Sequence, residues 1–386
     1  MIRIINSRVV IEKHDTHNKY YPQVISFSTV DEYPLSNSPS ATIKIIQSSN
    51  LNGVATVSHV EFDDIVRLQV STKYHPQEKD VWVTIFHGRV QNQSKTWGTN
   101  NDIEFECNGY INEAFYKIIT VDTTWANVDA TVILQAVDSY MSRVKYNSNY
   151  AVSGQLVAEY NVSTDQNFIV DIYKEMEKLS GYKRKIGVEP VYDAAGNLQT
   201  CYLRWEPISS TATTKYAIRE GTPRIISATF DVVGDDVFNF YHMHGGNNSA
   251  GSPYAGSAQN LESVTEYDAR HKSETNTWIK SNQLCTNIAQ VLADDNALPY
   301  IAGQVVLEGT PDAQVGDMVT VYIPSIEAKG AQIDGVYTVY RVVHSFSKGA
   351  FTTTLDLGRI KKTGYDYIAK SLTQVIQTCY KNQIKK

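Results

Sequence analysis

"VGDMVTVYIPSIEAKGAQIDGVYTVYRVVHSFSKGAFTTTLDLG", Val315 to Gly358, contains three alternating stretches separated by two polar turns. Alternation of period two over runs this long predicts half-buried strands, and the short breaks predict an antiparallel meander. An upstream stretch follows the same plan: "DIVRLQV", "DVWVTIFHGRV" and "NDIEFECNG". Each set begins at an acid, Asp64 or Asp317. Each carries a basic residue in its long middle strand, Arg89 or Arg341, and each ends on a glycine, Gly109 or Gly358. Matching order, lengths and turn placement predict one β unit built twice.

The pattern extends outward from both meanders. From Met1 to about Thr120, "IRIINSRVVI", "QVISFSTV" and "SATIKIIQ" add further alternating runs. Many short strands favour closure, because a closed sheet has no exposed edge. Residues 1–122 are therefore expected to form a first β-barrel domain, and residues 221–362 a second one. The second is expected to carry a Gly/Ser-rich loop at 245–260 and a helix near 274–296.

Between them the period changes. In "WANVDATVILQAVDSYMSRV", Ile133, Val137, Tyr140, Met141 and Val144 fall on one helical face, and Asp129 is placed to cap it. A second helix is expected at "VSTDQNFIVDIYKEMEKLSGYK", capped by Ser163 or Thr164. Its stripe is Phe168, Ile169, Ile172, Met176 and Leu179, and Gly181 follows as the C-terminal stop. A hairpin turning at Gly196 and Asn197 comes next. Residues 123–220 thus read as a small α+β domain. In "YDYIAKSLTQVIQTCYKNQIKK", Ile368, Leu372, Val375, Ile376 and Cys379 recur at helical spacing, so 363–386 is expected to be a helix with a candidate partner-binding face. The expected fold class is mainly β with an α+β insertion: two similar β-barrel domains flanking a small α+β domain, then a C-terminal helix.

Composition narrows function by exclusion. A net charge of −6 with no long run of one sign predicts no nucleic-acid footprint. Cys107, Cys201, Cys285 and Cys379 are far apart and make no CxxC pair, which predicts free thiols. "MIRIINSRVV" lacks a signal-peptide core, and no apolar run is long enough to span a bilayer, so neither a signal peptide nor a membrane anchor is expected. The 25 tyrosines suit half-buried strands and wet interfaces.

Chemistry leaves little trace. His242 and His244 share a strand face, but no third ligand follows at a recognisable spacing, and His87 stands alone. Asp63 with Asp64, and Asp235 with Asp236, are adjacent and so point to opposite faces of a strand. No nucleophile elbow, zincin motif or phosphate loop occurs. No catalytic, cofactor-binding or metal-binding residues are expected, and the protein is not expected to be an enzyme.

Five stretches taken together carry a resemblance. They are "IEFECNGYINEAF", "ATVILQAVDSYM", "STDQNFIVDIYKEMEKLSGYKRKI…GNLQTCYLRW", "PRIISATFDVVGDDVFNFYHMHG" and "GQVVLEGTPDAQVGDMVTVYI" with the meander after it. In this order they resemble the baseplate or tail hub proteins of contractile-tailed phages and related injection systems. That family is the late-control protein D type, similar to the barrel portion of type VI secretion spike proteins. The resemblance implies a structural virion protein of the tail baseplate, assembled in the host cytoplasm. It implies a homotrimer that joins a six-fold tail tube to a three-fold central spike protein and touches other baseplate proteins. It also implies a channel through which tape-measure protein and DNA pass without specific binding, with the spike as a separate chain. A distal-tail or tail-tip adaptor of a non-contractile phage would use related barrels. A carbohydrate-binding β protein or glycan hydrolase would need Trp82, Trp97, Trp125, Trp205 and Trp278 as stacking platforms.

Overall fold

The computed structural model describes residues 4–46, 60–73, 77–95, 102–162, 168–180, 184–208, 216–220, 225–233, 237–248, 250–275, 281–297, 300–326 and 335–358. The candidate helix 363–386, with Ile368, Leu372, Val375, Ile376 and Cys379, lies outside them, as do Ser163, Thr164, Gly181, Asp235, Asp236, Trp97 and Trp278.

The first β region contains β1 (Ile4–Glu12), β2 (Lys19–Tyr20), β3 (Val24–Glu32), β4 (Ser40–Ile46), β5 (Ile65–Lys73), β6 (Trp82–Lys95) and β7 (Asp102–Gly109). In space they run β3-β4-β7-β6-β5-β1-β2, all antiparallel. The alternation dictates which face goes inward. Val9, Phe27, Ile43, Leu68, Phe86 and Phe105, one from each of the six long strands, are buried in a single core. Apart from Val60 and Phe351 that core is drawn, among the described residues, from these strands alone, with no second layer to cover it, so the sheet curls around its own side chains. A one-residue slip would expose the whole apolar set, which fixes the register.

The middle region holds β8 (Thr123–Asp129), α1 (Ala130–Asp138), β9 (Val144–Lys145), β10 (Leu156–Val162), α2 (Ile169–Leu179), β11 (Arg184–Tyr192) and β12 (Leu198–Pro207). Asp129 caps α1 as expected, accepting from the Thr131 amide, and its other oxygen accepts from Gly154 and Gln155. The helix is shorter than the periodicity predicts. Two acids pull the chain away: Asp138 accepts the Tyr146 amide, and Glu113 accepts the amides of Ser142 and Arg143. Met141 and Val144 are still buried, but outside the helix. Phe168, expected in the stripe of the second helix, precedes α2 and is 45% exposed, whereas Ile169, Ile172 and Met176 are fully buried. The β11–β12 hairpin turns at Gly196, whose φ is 76°, as the sequence predicts.

The second β region contains β13 (Tyr216–Arg219), β14 (Ile225–Val233), β15 (Phe240–Asn247), β16 (Pro253–Gln259), α3 (Leu261–Tyr267), β17 (His271–Thr275), α4 (Asn282–Asp295), β18 (Tyr300–Glu308), β19 (Met318–Tyr322), β20 (Gly335–Ser347) and β21 (Ala350–Gly358). Stretch 245–260 is not the loop expected: it is a β15–β16 hairpin turning at 248–252. Its small residues serve close packing. A Cβ on Gly256 would lie 2.3 Å from the Thr286 amide nitrogen, so only glycine lets α4 approach β16. The helix expected near 274–296 is α4, which starts later because residues up to Thr275 belong to β17.

The internal repeat is visible in the ladders. The second region runs β14-β18-β21-β20-β19-β13, and the first, element for element, runs β3-β4-β7-β6-β5-β1. Details agree as well. The Val90 amide donates to the Asp64 carbonyl (3.0 Å), and the Val339 amide to the Asp317 carbonyl (2.9 Å). The Asp64 carboxylate accepts the Glu61 amide and the Asp317 carboxylate accepts the Gln314 amide, each at 2.8 Å. Register breaks recur at Val90/Asn92 and Val339/Arg341, and again at Val24/Ser26 and Ile225/Ser227. One difference stands out: β13 lies parallel to β19, whereas β1 is antiparallel to β5.

Two separate closed barrels are not what the ladders record. β20 is far longer than its neighbour β19, and β3 fills the remaining edge from Arg341↔Glu32 to Ser347↔Ser26. The first region and β13, β14 and β18–β21 of the second thus belong to one 13-stranded sheet, as two curled units joined along a seam, while β16-β15-β17 form a separate sheet. Among the described residues no ladder closes either unit on itself.

Candidate assembly site

The β3–β20 seam shows how one unit docks on another. Arg341 Nε lies 3.0 Å from Glu32 and its Nη1 lies 3.3 Å from Asp356, so one guanidinium ties three strands. Hydrogen bonds from Ser36, then Asn37, together with the charge of Arg341, hold the Glu32 carboxyl below its ordinary range. Rings close the seam beneath. Phe27 stacks on Phe346 with centroids 5.6 Å apart, and Tyr33 lies parallel to Tyr340 at 6.4 Å. Phe351 covers Gly309 so closely that a Cβ there would come within 1.9 Å of its ring.

Where the seam meets the middle region there is a cavity of about 200 Å³, lined among others by Asp31, His87, Tyr110, Lys185, Arg204 and His344. Burial dominates its electrostatics. It pushes Asp31 up to about 6 despite the nearby Lys185 ammonium, and holds His87 and His344 neutral down to about 4. Lys185 spans the junction, donating to the Val315 carbonyl (2.9 Å) and lying 3.4 Å from Glu206. Beside it Glu177, fully buried on α2, accepts the Leu35 amide and the Ile186 amide, both at 2.8 Å. Burial still lifts its carboxyl to about 7. These groups fasten the middle region to both β units. Glu177 was legible in principle, since it lies four residues after Tyr173 on the buried face of α2.

The residues singled out by sequence are scattered. His242 lies 3.1 Å from His271, with Phe240 stacked on the His242 ring and tilted against the His271 ring. Among the described residues no group of three metal-ligating side chains occurs. Asp63 pairs with Arg89 and Arg143 at 2.9 Å, while the buried Asp64 binds Lys13 at 2.9 Å, so the adjacent acids do part to different partners. Trp205 is completely buried in the middle core, Trp125 stacks on Tyr160, and Trp82 lies under Arg8, so these rings form no common platform. Cys107, Cys201 and Cys285 are buried and unbridged. Among the described residues no helix is long and apolar enough to cross a membrane.

No protein-family model matches the sequence, and no curated protein matches it. Solved structures do. A 43 kDa tail protein of prophage MuSo2 from Shewanella oneidensis aligns with a TM-score of 0.58 at 11% identity, over 92% of this chain and 99% of that one. A tail protein from Neisseria meningitidis aligns at 0.59 and 9% identity, over 94% and 99%. A Francisella PdpA–VgrG complex aligns at 0.54 and 8% identity, over 94% of this chain but 53% of the other. The chain therefore has the fold of these tail proteins over nearly its full length, and shares it with about half of a chain of the PdpA–VgrG complex.

Proposed function

We propose that this chain is the hub of a tail baseplate or related injection device: a homotrimer whose six β units meet a six-fold tail tube on one side and a three-fold spike on the other. The carrying observation is the repeat itself. Two units with the same strand order, the same bulges and the same Asp-closed turn give three chains six near-equivalent lobes. Three-fold symmetry in the chain then coexists with six-fold shape, which is what a joint between two such symmetries requires. The fold shared with tail proteins supports the same reading. In it the ring lines the ejection channel, other baseplate proteins pack outside, and the residues act by packing and pairing rather than by catalysis. A light-scattering or native mass measurement tests it: three chains, alone or with the spike, are expected, and a stable dimer contradicts it.

A further inference from the structure

We infer that the ring is closed by one particular ladder: the outer edge of β14 in one copy pairs antiparallel with the end of β6 in the next copy, in the register that β3 and β20 use within the chain. The inference rests on the hub reading for its ring, and on the repeat for its residues.

The repeat assigns a counterpart to every strand in the seam. Asn92 sits opposite Glu106 just past one bulge, and Arg341 sits opposite Asp356 just past the other, so β6 from Asn92 corresponds to β20 from Arg341. On the other side, Thr29 reaches Cys107 through Ala41, and Phe230 reaches Leu357 through Gly303, so Thr29 corresponds to Phe230. The matched bulges at Val24/Ser26 and Ile225/Ser227 fix the same correspondence independently.

Inside the chain, the β3-type strand of the first unit fills the β6-type edge of the second. That use leaves one strand of each type over. Among the described residues β14 pairs only with β18 and stands at the end of the sheet. β6 loses its partner β5 at Ile65↔Arg89, as β20 loses β19 at Met318↔Thr338. Beyond Val90 the side of β6 away from β7 has no ladder among the described residues, where β20 has β3. The two leftover edges are therefore complementary in type and direction, and β6 beyond its bulge, Asn92–Lys95, offers four of the seven positions that β20 uses in the seam. An unpaired edge is a template for another strand, and Ile226, on β14, is left 59% exposed. Each chain has one edge of each kind, so the contact is heterologous, and successive copies close into a ring when the rotation closes.

Carrying the seam register across sets Asn92 opposite Val233, Ser94 opposite Asp231 and Lys95 opposite Phe230. The full chain tests this with cysteines on separate molecules in a Cys379→Ser background. Ser94→Cys protein mixed with Asp231→Cys protein is expected to give a two-chain disulfide on mild oxidation, at least tenfold faster than Gln93→Cys mixed with Asp231→Cys. The latter pair points to opposite faces of the ladder. Asn92→Cys with Val233→Cys provides a second in-register pair should one variant fold poorly. Mass measured on the same mixtures separates the two ideas. A trimer without the in-register disulfide, or with equal rates in and out of register, overturns the ladder and leaves the hub reading. The disulfide in a preparation that never exceeds two chains supports the ladder and overturns the hub. Neither trimer nor disulfide overturns both.

Discussion

Replacing Glu177 by glutamine isolates the cost of one buried charge. The carboxyl is fully buried and its pKa is lifted from an ordinary 4.5 to about 7, chiefly by burial. An acid whose pKa is raised by folding binds a proton more tightly in the folded chain than in the unfolded one. Stability then falls as pH rises from about 4.5 through about 7, and the loss is complete above that. At about 1.4 kcal/mol per pH unit the group removes about 3 kcal/mol across this window. Glutamine carries no such slope. It retains one acceptor for two donors, the Leu35 and Ile186 amides, so it costs a hydrogen bond at every pH, about 1–3 kcal/mol. Urea unfolding followed by tryptophan fluorescence, to which Trp205 in the same core contributes, measures both proteins at pH 5 and pH 8.5. Asp31, His87 and His344 titrate in both and cancel to first order in the difference. The wild-type advantage at pH 5 is expected to shrink or reverse by about 2.5 kcal/mol at pH 8.5, since part of the window lies below pH 5. Parallel curves would refute the assignment of the charge cost to Glu177.

His87 has the opposite sign: its folded pKa is depressed to about 4, so the unfolded chain alone gains a proton below about 6.5 and stability falls with falling pH; His87→Gln should make thermal stability fall less steeply between pH 6.5 and 4.5, with the slope from His344 remaining. Gly88→Ala would place a Cβ 2.2 Å from the Asn108 carbonyl oxygen, a backbone atom that β7 cannot move cheaply, and a loss of more than about 3 kcal/mol in urea unfolding is expected. The matched turns are predicted to differ in sensitivity. Asp64→Ala removes the buried partner of Lys13 and should cost about 3–5 kcal/mol, against about 1 kcal/mol for Asp317→Ala at a half-buried turn, and equal losses would contradict the account.

The alternation of Val315–Gly358 and its upstream echo already carried the repeat, because period-two burial is written directly in the residues. The Asp64–Asp317 match is the same turn in both units, as the sequence predicts. The Arg89–Arg341 match is not: Arg89 lies opposite Asn108 before its bulge, and Arg341 lies opposite Asp356 after its own. Both units carry the same bulge, so by the ladders Arg89 corresponds to Thr338 and Arg341 to Asn92; residue type alone matched two arginines that stand on opposite sides of it. Stretch 245–260 looked like a loop for a similar reason. Gly256 is small because a helix packs on it, and a sequence reports the smallness without its cause. The early end of α1 depends on Glu113, nearly thirty residues upstream of the amides it accepts, and no local pattern encodes that. The candidate face Ile368, Leu372, Val375, Ile376 and Cys379 lies outside the described residues, and its role as a partner contact stays a proposal.

The joining of two symmetries by a repeated unit is tested most directly by electron microscopy of the purified oligomer, viewed down its axis. Averaged views are expected to show three chains arranged as six lobes of nearly equal size around an open centre. Three lobes, two lobes or a filled centre would contradict it.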